Sequence, residues 1–70
     1  MNSINKLHIE LYSIDGVFQG YASHVSVAKQ KVESVTTKQE ALSFSTQSAA
    51  TKVCNRISDI ARGCLRCDIR

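Results

Sequence analysis

Residues 37–63 constrain the fold more than any other stretch of the chain. Thr37-Lys38-Gln39-Glu40 has the form of a capping box, in which a threonine oxygen meets the amide three residues on and the glutamate reaches back. Ser43 and Ser45 interrupt it, so it predicts no more than a helical turn. Leu42 and Phe44 read as a buried pair. Ser45 or Thr46 then caps a longer helix, along which Ala50, Val53, Cys54, Ile57, Ile60 and Ala61 recur at i, i+3, i+4, i+7 spacing. Lys52, Asn55, Arg56, Asp59 and Arg62 fall on the opposite side. Arg62 suits the negative end of the helix dipole, and Gly63 is a natural residue to follow the last turn. One apolar stripe needs an apolar layer to cover it, which predicts a helix over 46–62 packed on strands.

The strands come earlier. Leu7, Ile9 and Leu11 alternate with His8, Glu10 and Tyr12, the period of a half-buried strand, here predicted over residues 5–13. Asp15-Gly16 predicts a tight hairpin, because both residues tolerate positive φ. The return strand, residues 16–24, sets Val17, Gln19 and Tyr21 on one face and Phe18, Gly20 and Ala22 on the other. Gly20 marks a bulge or a close approach of another backbone. Val25, Val27, Val32 and Val35 flank a polar turn at Ala28-Lys29-Gln30-Lys31, giving a third strand over 30–36. A helix over 25–35 also accommodates Val25, Ala28, Val32 and Val35, and the valine content favours strands. The tail, residues 64–70, is read as irregular. The predicted fold is one α+β domain, residues 1–70: an antiparallel sheet of three strands, or four, packed against one C-terminal α-helix.

Size and composition limit the function. The chain has 70 residues, two tyrosines, two phenylalanines and no tryptophan, little material for both a core and a deep substrate cleft. Its 43% hydrophobic content belongs to a globular domain. No apolar run approaches the ~18 residues of a membrane span, and Met1–Lys6 lacks the apolar core of a signal peptide, so a cytoplasmic protein is expected. A net charge of +3 favours acidic partners, whether nucleic acid or an acidic protein face.

Cys54, Cys64 and Cys67 are an odd number without framework spacing, expected in a reducing compartment as thiols or metal ligands and not as a disulfide scaffold. Cys64-Leu-Arg-Cys67 with Cys54 and either His8 or His24 could in principle furnish a zinc site. Strong zinc signatures carry two paired ligand sets, and this chain has one. Cys54 also fits the helix stripe as a small hydrophobe. The pair follows a helix C-terminus, where the dipole opposes a thiolate, which argues against a redox role. Neither metal nor cofactor is expected. Catalytic candidates are equally sparse. Asp15 is committed to a turn, Glu40 to a cap and Asp59 to a helix surface, while His8 and His24 are placed on an outer sheet face. The chain holds no Gly-rich phosphate loop and no His-Glu-x-x-His motif. A non-enzymatic protein is expected.

Binding residues follow from exposure. Lys52, Arg56 and Arg62 share the outer helix face, Arg66 and Arg70 extend it, and Lys29 and Lys31 lie in a loop. Such a stripe suits phosphates, although a solvated helix face is its ordinary use. Stacking platforms would come from Tyr12, Tyr21 or Phe18 on one sheet face. Exposed tyrosine beside arginine is also the usual composition of a protein–protein hot spot. The expected partner-binding residues are Tyr12, Tyr21, Lys29, Lys31, Arg56 and Arg62.

The order Tyr12-x3-Gly16-Val-Phe-x-Gly20-Tyr21, then Val32 through Val53 with Ala41-Leu42-Ser43-Phe44, Ser45-Thr46 and Ala49-Ala50, resembles a broad group of very small phage and mobile-element proteins. The likeness covers residues 7–62 and lies in core and cap positions, so it transfers no functional residue. Members of that group include anti-CRISPR and other anti-defence inhibitors. The resemblance implies a phage-encoded inhibitor that occludes a host protein or nucleoprotein complex without catalysis. The positive charge departs from the acidic, DNA-mimicking subset and implies contact with an acidic protein face or with phosphates. A small basic nucleic-acid-binding protein is the alternative expectation, and a zinc-stapled regulatory domain the third. Lys29, Lys31 and Glu33 would discourage pairing at one sheet edge, leaving a monomer or a homodimer.

Overall fold

The computed structural model describes residues 6–70, so the first position of the strand predicted over 5–13 lies outside the described residues. Four strands form one antiparallel sheet: β1 (Ile9–Ser13), β2 (Phe18–Ser26), β3 (Lys31–Val35) and β4 (Leu65–Ile69), in the order β3-β2-β1-β4. The helix α1 (Gln47–Ala61) lies between β3 and β4 in the chain and packs against one face of that sheet. The α+β class is as expected. The helix, however, is not C-terminal, and the tail is not irregular. Leu65, Cys67 and Ile69 pack on the core while Arg66 and Asp68 are exposed. That is the alternation of a half-buried strand. It escapes notice when the two cysteines are weighed as metal ligands instead of small hydrophobes.

The hairpin between β1 and β2 is not the two-residue turn predicted. Gly16 N–H donates to Ser13 O at 2.9 Å, and Ser13 N–H donates to Val17 O at 2.8 Å, closing a three-residue loop over 14–16. Gly16 alone is left-handed there, at φ +89°, and Asp15 keeps a negative φ. A type I turn followed by a left-handed glycine is the usual solution for that loop length.

Two register shifts shape β2. Leu11 faces Gly20 and Tyr12 faces Phe18, so Gln19 is an extra residue opposite the step between them. Ala22 faces Ser34 and His24 faces Glu33, so Ser23 is a second one. Each bulge inverts the alternation that follows. The first puts Phe18 on the same face as Tyr21, opposite to the predicted assignment. The second turns His24 outward and returns Val25 to the core. Gly20 satisfies both readings made of it. It adjoins the bulge at φ +114°, and a Cβ there would stand 2.8 Å from Val35 O.

Residues 27–30 make the turn into β3, which rules out a helix over 25–35; Gln30 closes the turn at φ 51°. Lys38–Glu40 forms one short 3-10 turn, with Thr37 at its N-cap. There the threonine hydroxyl donates to the Glu40 carboxylate at 3.2 Å in place of the backbone bonds of a capping box. Leu7 and Phe44 exchange backbone bonds of 2.8 and 2.9 Å, and Leu42 N–H donates to Ala22 O at 3.0 Å, which stitches the connection to the sheet. Thr46 caps α1 by accepting from Ala49 N–H at 3.2 Å. At the other end Arg62 itself takes the left-handed conformation, φ 53°, ahead of Gly63.

Ile9, Leu11, Ala22, Ala50 and Ile57 are the buried hydrophobic residues among those described, ringed by Val25, Val32, Phe44, Val53, Cys54, Leu65, Cys67 and Ile69. So small a core supplies about 3–5 kcal/mol of net stability. Among the described residues no helix is long and apolar enough to cross a membrane.

Candidate partner-binding face

The helix covers one face of the sheet and leaves the other open. On that open face β1 contributes Glu10 and Tyr12, β4 contributes Arg66 and Asp68, and β2 contributes Tyr21 and, through its bulge, Phe18. The rings form a chain. Tyr12 and Phe18 stand 5.5 Å apart at 63°, Phe18 and Tyr21 5.2 Å apart at 73°, and His8 meets Tyr21 at 6.5 Å and 69°. These are edge-to-face arrangements, in which the positive rim of one ring meets the negative face of the next. Lys38 Nζ adds a cation 5.8 Å from the centre of Tyr21.

A polar network borders the rings. Tyr12 OH donates to Glu10 Oε1 at 2.8 Å, and Arg70 Nε lies 3.8 Å from the same oxygen. The Glu10 side chain is only 12% exposed, so these two partners hold a carboxylate that the rings and strands largely cover. The hydrogen bond to that carboxylate raises the Tyr12 phenol above its ordinary value, with desolvation and the Glu10 charge acting in the same direction. His8 Nδ1 is buried without a hydrogen-bond partner among the described residues. At the hairpin end Phe18 is 44% exposed on this face, while Ile14 in the loop is 69% exposed and Val17, on the opposite side of β2, 59%. A depression of about 280 Å³ opens beside it, lined by Tyr12, Gly16, Arg66, Cys67 and Asp68.

The predicted site residues separate. Tyr12 and Tyr21 lie together on the open face, and Lys31 shares it at the β3 edge, paired with Glu33 at 3.7 Å. Lys29 is in the β2–β3 turn, its amide bound to Ser26 Oγ at 3.2 Å. Arg56 lies on the helix side, lining a depression of about 220 Å³ with Val27, Gln30, Asp59 and Ile60. Arg62 ends the helix. No single surface joins the tyrosines to Arg56 and Arg62. The cations nearest the rings are Lys38, Arg66 and Arg70. The last two are readable from the alternation of residues 65–70, and Phe18 only once a bulge is placed before Gly20.

The cysteines separate as well. Cys54 on α1 and Cys67 on β4 are half-buried neighbours at the core margin, while Cys64 is exposed in the α1–β4 connection. Burial pushes the Cys67 thiol up to about 12, with the neighbouring Cys54 adding to the effect, and burial also raises Cys54. Among the described residues no three metal-ligating side chains gather.

Comparison of the chain with protein-family models, with curated proteins and with solved structures finds no match in any of the three.

Proposed function

We propose that this chain is a non-enzymatic binding protein that engages a protein partner through the open face of its sheet. The observation that carries the reading is the continuous run of Tyr12, Phe18 and Tyr21 on a face that α1 does not cover, with Phe18 44% exposed. Tyrosine and arginine concentrated in an apolar patch are the composition of interface hot spots. The charges favour protein over nucleic acid. Glu10, Glu33 and Asp68 alternate with Lys31, Arg66 and Arg70 across the face, and a phosphate backbone would meet carboxylates at each step. The rings already present edges to one another, so a base would have to displace a neighbour to stack.

That the partner is a host defence nucleoprotein complex rests on the resemblance to phage inhibitors alone. The test is an affinity capture from cell lysate, with and without nuclease, comparing the wild-type chain with Tyr21→Ala and Phe18→Ser. A stoichiometric protein that survives nuclease and is lost with either variant supports the reading. Loss on nuclease treatment, together with steeply salt-dependent binding of single-stranded DNA or RNA by the isolated chain, replaces it with the nucleic-acid alternative.

A further inference from the structure

β4 is the end strand of the sheet, and its far edge has no partner among the described residues. The Arg70 amide donates to His8 O at 2.9 Å. Antiparallel pairs alternate between bonded and unbonded positions. Counting back from Arg70, Asp68 and Arg66 therefore direct their backbone groups to β1, and Leu65, Cys67 and Ile69 direct theirs outward. Three consecutive outward positions make an open pairing edge.

The side chains on the open face are also incomplete. Asp68 stands directly opposite Glu10, and like charges facing each other across a ladder are destabilising. Arg70 lies against Glu10, but among the described residues neither Asp68 nor Arg66 has an ion-pair partner.

We infer that the free edge of β4 pairs antiparallel with the same strand of a second copy, about a twofold axis at Cys67. The sequence Leu65-Arg66-Cys67-Asp68-Ile69 is complementary to itself in that register. Arg66 comes opposite the partner's Asp68, and Asp68 opposite the partner's Arg66. Leu65 and Ile69 come opposite the partner's Ile69 and the partner's Leu65 on the core side. The outward backbone groups of Leu65, Cys67 and Ile69 all fall at bonded positions, giving roughly six new hydrogen bonds. Centring the axis on Arg66 or Asp68 instead would set like charges together at an unbonded pair. The opposite edge of the sheet does the reverse. Pairing β3 about its middle residue puts Glu33 against the partner's Glu33, which blunts that edge. The interface is isologous, and it joins the two open faces into one surface.

Sedimentation of the full chain tests this. The wild type is expected at twice its 7.7 kDa mass. Arg66→Asp and Asp68→Arg are each expected to weaken association at least tenfold and to sediment as monomers, with circular dichroism showing that both remain folded. Mixed in equal amounts, the two variants are expected to form a one-to-one heterodimer, because two carboxylates on one chain then face two guanidinium groups on the other. A wild type that stays monomeric up to about 1 mM overturns the inference, since no useful affinity lies beyond that. So does a dimer that survives both single variants, or a mixture of folded variants that does not associate.

Discussion

The inner and outer faces of the sheet use the same strands and hold opposite kinds of side chain. On the inner face Ile9, Leu11 and Ala22 meet Ala50 and Ile57 of α1, all aliphatic and buried. On the outer face four rings touch edge-on, and charged groups of both signs stand between them. The two sets separate the side chains that hold the fold together from those that the proposed interface would use. Aliphatic side chains are held by close packing, so their removal is felt throughout a small core. Half-exposed rings contribute less to folding and leave apolar surface open for the partner proposed above.

The contrast is sharpened most by Ile57→Ala. Removing a buried isoleucine costs about 2–5 kcal/mol, comparable to the whole stability of such a chain. Chemical denaturation should show a variant largely unfolded in buffer, and a loss below about 1 kcal/mol would mean that α1 is not the lid of the core. Next comes Gly20→Ala, which tests the bulge that separates the faces. A methyl group 2.8 Å from Val35 O at φ +114° should cost about 2–4 kcal/mol in the same assay, combining backbone strain with overpacking.

Phe18→Ser addresses the outer face. Its edge contacts to Tyr12 and Tyr21 are worth about 0.5–1.5 kcal/mol each when intact, and a 44% exposed ring leaves little cavity behind. A drop of about 1 kcal/mol in stability with loss of partner capture is expected. A drop as large as that of Ile57→Ala would break the distinction between the faces. Near neutral pH the smallest effect is protonic. An unfolded cysteine ionises near ~8.5, whereas Cys67 in the folded chain holds its proton to about 12. Between those values the unfolded chain binds fewer protons, so stability is fully present below pH ~8.5 and declines as pH rises through the window. Denaturation midpoints at increasing pH would show it. A thiol reagent at pH 8 should label exposed Cys64 well before Cys54 or Cys67.

Most of this architecture is legible in the residues, for reasons that are local. The helix stripe, the Thr46 cap, the polar turn at 27–30 and the alternation of Leu7, Ile9 and Leu11 each depend on neighbours within one or two turns. What escapes local reading depends on partners far along the chain. The bulges at Gln19 and Ser23 exist only relative to β1 and β3, so the faces of β2 cannot be assigned by counting in twos. Such counting puts Phe18 on the wrong side. The outer tyrosines could be named in advance, but the cations beside them could not, because Arg66 and Arg70 join the face only when residues 65–69 enter the sheet next to β1. Arg56 and Arg62, chosen for their charge and helix position, share no surface with the rings.

The pairing of β1 with β4 also governs when this protein can fold. His8 and Arg70 are joined by a backbone bond across nearly the whole described chain. A central strand that must wait for so distant a neighbour has a large loop to close, and such topologies fold slowly. During synthesis at about 5–20 residues per second, β1 and β2 leave the ribosome seconds before α1 and β4 are available to cover Ile9 and Leu11. For that interval the future inner face is exposed, with an unpaired strand edge beside it. The arrival of β4 beside β1 is thus the step that completes the inner face over which α1 closes.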